Sequence, residues 1–281
     1  MLAERHIRII NSILKASQPV KIQELARAEN VSVQTIYSDL HQIEKISFSG
    51  NRGEIAVTFS EDGSSIVSQK ILSNRVMREK ACEYVIENIL NGNPRGVLYI
   101  DGGSTGYLFF EALRKRNIQD VVILTNNPLI LGSFAEDERF FYQNSVFAIG
   151  GKLDPLRMSL YSVAHHDDFD LMKGEDYQID ICVPGFRGIS AKGDLYIDNE
   201  EEVNQKRNLI AKSRRMILIL PPEKLEATGL FKITALSKEM KKPKKQIDII
   251  VASDKTLDDE AAETLREIGR ILGESSVKIL T

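Results

Sequence analysis

The apolar positions of this chain change rhythm about a third of the way along. In the first 60 residues Ile7, Ile10, Ile13 and Leu14 fall at helical spacing and predict an amphipathic helix over residues 3–16. The stretch 17–20, with Pro19, ends it. Leu25 and Ala26 are the inward positions of a second, short helix over 22–29. Asn30 and Val31 form a turn. Ser32 then stands as the N-cap of a third helix, which carries Val33, Ile36, Leu40 and Ile43 on one face and ends near Lys45. Residues 47–59 read as a hairpin, with Gly50-Asn51 and Gly53 between apolar stretches. Two helices joined by a tight turn and followed by a hairpin are the grammar of a winged helix-turn-helix. A small helical cap has the same pattern, and pattern alone does not separate the two.

Residues 66–91 predict a further helix, with Val76, Ala81, Val85, Ile86, Ile89 and Leu90 apolar and Asn91-Gly92-Asn93-Pro94 ending it. Such a helix links the domains, packs on the second one or pairs with a partner subunit. Beyond Pro94 the pattern becomes short apolar runs at 97–100, 121–124, 146–149, 179–183, 216–220, 247–251 and 277–280. Runs of Val, Ile and Leu without alternation are what a parallel sheet covered on both faces requires. Helical segments at 107–116, 201–214 and 258–273 lie between several of them. The expected fold class is therefore α/β, an open, mostly parallel, Rossmann-like sheet, with a small N-terminal winged helix-turn-helix domain. The expected organisation is a small N-terminal domain at residues 1–59, a helical linker at 60–93 and an α/β domain at 94–281.

Composition excludes whole classes without changing this picture. With 42% apolar and 27% charged residues, the chain is neither disordered, nor collagen-like, nor a disulfide scaffold. Its apolar runs are too short to span a bilayer, and residues 1–10 lack the apolar core of a secretory signal. A cytoplasmic protein with no membrane contact is expected. Cys82 and Cys182 have no metal-ligand spacing and read as free, buried thiols in a reducing compartment. The net charge of −3 lends no support to nucleic-acid binding and does not exclude it, because one small basic face suffices. Between residues 206 and 245, 12 Lys or Arg face only three acids, a local excess of +9.

Open α/β sheets bind ligands beyond the carboxyl ends of their strands. Those ends carry anion-suited residues here. The first run leads into Asp101-Gly102-Gly103-Ser104-Thr105 and a helix, where turning glycines, exposed N–H groups and two hydroxyls suit an anion. The next three lead into Thr125-Asn126, into Gly150-Gly151-Lys152, and into Pro184-Gly185-Phe186-Arg187. One such end is an ordinary turn, but four together favour an anionic ligand. The first is neither a Walker loop nor a dinucleotide fingerprint, so a small phosphate ester fits better than a nucleotide. Lys206, on a helix that also carries Glu202, is placed to neutralise a phosphate as a point charge, with Lys224 as a weaker candidate. His165-His166-Asp167-Asp168 lacks paired metal spacing, and neither metal nor cofactor is expected.

Both halves resemble the DeoR family of bacterial transcriptional regulators. The N-terminal resemblance rests on Glu4-Arg5, Val20, Glu24-Leu25-Ala26, Val31-Ser32-Val33-Gln34-Thr35-Ile36, Asp39-Leu40 and Ile43-Glu44. The C-terminal resemblance rests on Asp101 to Thr105, Thr125-Asn126, Gly150-Gly151, Asp180 with Gly185 and Gly188, and Glu202 with Lys206-Arg207. It implies a winged helix-turn-helix joined to a sugar-phosphate sensor whose fold is similar to ribose-5-phosphate isomerase. The implied function is a DNA-binding regulator, a repressor released by a phosphorylated sugar or related metabolite, and not an enzyme. The implied partners are a double-stranded DNA operator, read by a homodimer or homotetramer, and the effector. The DNA-binding candidates are Lys21, Ser32, Gln34, Thr35, Tyr37, Ser38, His41 and Arg52. The effector candidates are Asp101, Gly102, Gly103, Ser104, Thr105, Thr125, Asn126, Gly150, Gly151, Lys152, Gly185, Glu202, Lys206 and Lys224. Four places depart from the family pattern. Tyr37-Ser38 replaces Arg-Arg in the recognition helix, Ile46 replaces a Gly after it, Pro221-Pro222-Glu223-Lys224 replaces D-S-S-K, and a Gly is missing near residues 160–162. Two alternatives stay open: an isomerase-like enzyme using Asp101, Glu202 and Lys206 for acid–base work, and a sensor whose N-terminal domain no longer binds DNA.

Overall fold

The computed structural model describes residues 5, 9, 12, 20–42, 48–49, 54–57, 74–154, 157–161, 178–253, 256–273 and 276–280. The chain divides into two compact units, Met1–Gln69 and Lys70–Thr281.

In the first unit, β1 (Val20–Lys21) leads straight into α1 (Ile22–Ala28), a turn and α2 (Val33–Gln42), followed by β2 (Phe48–Ser49) and β3 (Glu54–Val57). Of the helix expected over 3–16, Arg5, Ile9 and Ser12 are described, and all three are helical. The hairpin pairs Phe48 with Val57, and β1 adds a third antiparallel strand by pairing Val20 with Ile55. The sequence pattern does not predict that third strand, because a two-residue strand has no period to detect. Ile9, Ile22, Leu25, Ala26 and Ile36 are buried. The Ser32 hydroxyl accepts a hydrogen bond from the Thr35 backbone N–H at 3.0 Å, so Ser32 caps α2 as its sequence suggests. Arg5 donates to both carboxylate oxygens of Asp39, at 2.7 and 2.9 Å, and ties the N-terminal segment to α2. Arg52 and the turn at 50–53 lie outside the described residues.

The second unit opens with α3 (Arg75–Tyr84), continued by a wide π turn at Val85–Ile89. Then come β4 (Gly96–Ile100), α4 (Ser104–Lys115), β5 (Val121–Thr125), α5 (Pro128–Gly132), α6 (Glu138–Gln143), β6 (Ser145–Ala148), β7 (Lys152–Asp154), β8 (Ser159–Tyr161) and β9 (Ile179–Val183). After β10 (Gly188–Ile189) and β11 (Asp194–Ile197), α7 (Glu200–Lys212) leads to β12 (Ser213–Leu220), β13 (Phe231–Ala235), α8 (Leu236–Glu239), β14 (Gln246–Ala252), α9 (Asp259–Leu272) and β15 (Val277–Leu280). The seven apolar runs become one parallel sheet in the order β15-β14-β12-β9-β4-β5-β6.

Successive side chains of each strand enter opposite cores, which is why the runs are apolar throughout. Tyr99, Cys182, Leu218 and Ile249 face one core, which holds Val203 and Leu209 of α7 and Leu265 and Ile268 of α9. Leu98, Ile100, Ile181 and Ile217 face the other, which holds Met77, Ala81 and Cys82 of α3 and Leu108 and Phe109 of α4. The described part of the segment expected as a linker is thus part of this second core.

Two short antiparallel pieces escape the sequence pattern. The β7–β8 hairpin and the sheet β10-β11-β13 are built from two- to five-residue strands such as Asp194-Leu195-Tyr196-Ile197, whose polar positions interrupt any apolar run. Lys245 is buried at the end of α7, where its ammonium donates to the carbonyls of Ile210 and Ser213 and to the Ser213 hydroxyl. Burial pulls its pKa down to about 8. Cys82 and Cys182 are free and buried, and burial raises both thiols, that of Cys182 to about 12.

Candidate functional site

The sheet order switches direction between β4 and β9, since β5 and β6 extend to one side and β12, β14 and β15 to the other. The crevice beyond the carboxyl ends at such a switch is where open α/β sheets bind ligands. Asp101 sits in it, directly after β4, with no exposed surface. One carboxylate oxygen accepts from the Gly102 N–H at 2.8 Å and the other from the Gly185 N–H at 2.7 Å, which joins the ends of β4 and β9. The Lys206 ammonium donates to Asp101 and lies 3.2 Å from Glu202, one turn earlier on α7. Asn199, the N-cap of α7, supports Glu202 at 3.2 Å. Burial alone opposes a charge on Lys206, but Asp101 and Glu202 outweigh it and its pKa is raised. The three groups together carry a charge of −1.

A second charge stands at the start of α4. The N-cap residue there is Gly103, with φ of +92°, and no side-chain cap bond is made. Arg78, on the buried stripe of α3, donates to the Ser104 hydroxyl at 2.6 Å and approaches that of Thr105 at 3.4 Å. Burial lowers the pKa of Arg78, yet a guanidinium stays charged in a protein. Asn127 crosses from β5 to donate to the carbonyls of Asp101 and Gly103, at 3.3 and 3.0 Å.

The β7–β8 hairpin walls the crevice. Gly103 donates its N–H to Met158 O at 3.0 Å, and Leu160 donates to Asn126 O at 2.7 Å. Gly102 allows this approach, because a Cβ there would lie 2.6 Å from that of Ser159. Ser159 in turn accepts from the Asn126 amide at 3.1 Å. Farther along β8, Lys152 lies over the Tyr161 ring, 5.2 Å from its centroid, and Glu201 of α7 is an electrostatic neighbour of the Tyr161 hydroxyl.

In the first unit, α2 turns Gln34, Tyr37 and Ser38 outward, with Tyr37 44% exposed. Spacings of three and four residues put them on one helix face. Lys21 is exposed on β1.

A family model described as the DeoR C-terminal sensor domain matches residues 74–240. The chain belongs to this DeoR sensor family. The glycerol-3-phosphate regulon repressor of Escherichia coli is 26% identical over 235 residues, which are 83% of this chain and 87% of the relative. The repressor of the same name in Haemophilus influenzae is 25% identical over 237 residues, 83% of this chain and 85% of the relative. Among solved structures, a D-ribose-5-phosphate isomerase in complex with phospho-erythronic acid is similar at 15% identity with a TM-score of 0.36. That likeness covers 54% of this chain and 54% of the isomerase chain.

Of the residues singled out in this DeoR sensor, Asp101 to Thr105, Asn126, Gly185, Glu202 and Lys206 are joined by the bonds just described. The Thr125 hydroxyl is committed to the backbone, donating to Ile100 O at 2.7 Å and accepting from Asn127 N. Lys206, expected as a point charge open to a phosphate, is instead held by two carboxylates. Gly150 and Gly151 form the turn into β7, and Lys152 lies exposed over the Tyr161 ring. Lys224 donates to Phe186 O at 2.7 Å and stacks on its ring. The side chain of His41 and residues 165–168 lie outside the described residues. Sequence reasoning missed Arg78, Asn127, Ser159 and Gln205. For Arg78 and Gln205 a signal existed: each is a polar residue on the stripe that helical spacing assigns to the core. Arg78 is four residues before Cys82, and Gln205 four before Leu209.

Proposed function

We propose that the protein is a DNA-binding transcriptional repressor controlled by a phosphorylated sugar bound at the carboxyl ends of the sheet strands. The observation that carries the effector assignment is the buried Arg78 bonded to Ser104 in the uncapped first turn of α4. Orphan N–H groups, the helix dipole, two hydroxyls and a guanidinium converge there on a place for a dianion. The Asp101–Lys206–Glu202 group carries the opposite net sign and repels a phosphate, so it faces the hydroxylated end of the ligand. Gly102, Gly103, Gly185 and Asn126 shape the crevice between the two ends. Gly150, Gly151, Lys152 and Lys224 border it. Asp101 and Glu202 hold Lys206 and favour its charged form, so this reading expects binding without turnover.

On the DNA side, Gln34, Tyr37, Ser38 and His41 read base edges, Lys21 and Arg52 touch phosphates, and Ser32 and Thr35 cap the recognition helix. Repressor relatives support this half. A helix-turn-helix protein reads paired half-sites as a symmetric homodimer or homotetramer.

The test is retention of sheared genomic DNA by the purified full chain at physiological salt, followed by sequencing. A few palindromic sites should be enriched by the wild type and lost in a Gln34→Ala/Tyr37→Ala variant. Equal retention of all sequences by both proteins overturns the repressor reading.

A further inference from the structure

We infer that Gln205 is a specificity-determining residue that reads the hydroxyl groups of the effector, an inference that rests on the sugar-phosphate reading above. Gln205 is 9% exposed, and both its amide oxygen and its amide nitrogen are buried with no hydrogen-bond partner among the described residues. Few buried polar groups in native proteins go unsatisfied, because each costs the full desolvation of the group. Leu or Met would fill the same position on the buried face of α7 at no such cost. A polar side chain kept there needs a partner that arrives from outside the chain.

Its surroundings say which partner. Gln205 lies one turn after Glu201, on the flank of α7 that reaches Tyr161 of β8. Ser159 is two residues before Tyr161 on the same strand, so both side chains leave β8 on one face. Ser159 holds the Asn126 amide nitrogen, and the Asn126 carbonyl oxygen is likewise buried without a partner among the described residues. The packing of α7 against β8, and of Asn126 against Ser159 of β8, thus puts an amide-bearing helix flank and a second unpartnered acceptor beside the same strand. The next residue, Lys206, joins Asp101 and Glu202 in the crevice. A sugar hydroxyl both donates and accepts, and a row of them matches this mixed set. A phosphate only accepts and is repelled by the neighbouring carboxylates. The neutral amides therefore complement the polyol end of the ligand, and Arg78 complements its phosphate.

The test is isothermal calorimetry on the full chain with ribose 5-phosphate, fructose 1-phosphate, glucose 6-phosphate, glycerol 3-phosphate, the free sugars and inorganic phosphate. Gln205→Leu should weaken the best-bound sugar phosphate by about tenfold, as expected for two lost neutral hydrogen bonds. It should leave inorganic phosphate affinity as in the wild type. Its melting temperature should be unchanged or higher, because an unsatisfied amide has been removed. Wild-type affinity for that sugar phosphate in Gln205→Leu overturns the inference and leaves the sugar-phosphate reading standing. Failure of every sugar phosphate to bind the wild type overturns both. An equal loss for sugar phosphate and inorganic phosphate, with a lowered melting temperature, shows a packing role and also overturns the inference.

Discussion

Lys206 is 3% exposed and lies between two carboxylates that are themselves buried. Taking three charges out of water is costly, and their mutual attraction returns that cost only while all three are present. Asp101 also accepts two backbone N–H groups, so its charge organises the ends of β4 and β9 as well as the helix above them. Lys206→Ala leaves two buried carboxylates without their counter-ion. We expect it to lower stability by about 3–5 kcal/mol, read as a shift in the urea midpoint at unchanged slope. A variant as stable as the wild type would show that water reaches the group. Arg78 is a different kind of buried charge. Among its partners are hydroxyls at the mouth of a helix, an arrangement suited to receiving an anion.

The elements show how much of a site is backbone. The first turn of α4 begins at a glycine, which has no side chain to satisfy the orphan N–H groups, and this leaves them for a ligand. At α2 the opposite choice is made: Ser32 caps the helix, which frees Gln34, Tyr37 and Ser38 to face outward. With Tyr37-Ser38 where the family carries two arginines, α2 presents a neutral polar face. Base recognition by such a face depends on hydrogen bonds and apolar contact with thymine methyl groups rather than on guanidinium–guanine pairs. Gln34→Ala should cost about 1–3 kcal/mol on the cognate operator and relax preference at one base position, measured by titration against single-base variants of the site. An unchanged preference at every position would remove Gln34 from the readout.

At the scale of the molecule, the proposed reading gives each of the two units a site, and control would require that the two communicate. An effector changes operator affinity only if it binds the DNA-competent and DNA-incompetent states unequally. Allosteric coupling is typically about 1–3 kcal/mol, so saturating sugar phosphate should weaken operator binding by about 5–150-fold. Linkage then requires operator DNA to weaken sugar-phosphate binding by the same factor, which calorimetry with and without operator would measure. A sugar phosphate that binds tightly and leaves operator affinity unchanged would be a ligand without being a regulator.

The strand runs, the helices between them and the order of glycine-, asparagine- and hydroxyl-bearing strand ends were legible in the amino-acid sequence. Local rules govern them: burial on both faces demands unbroken Val, Ile and Leu, and a turn into a helix demands Gly, Asn or Ser. Ser32 as a cap was legible for the same reason. What the tertiary structure alone decided is which distant residues meet. Asp101 and Lys206 are 105 positions apart, and no periodicity links them. Nor does any local pattern announce that Arg78 reaches Ser104, that β8 leans on Gly102, or that Gln205 is buried without a partner among the described residues. Those facts come from strand order and crossover direction, which fold the end of one strand, the flank of one helix and the tip of one hairpin into the same crevice.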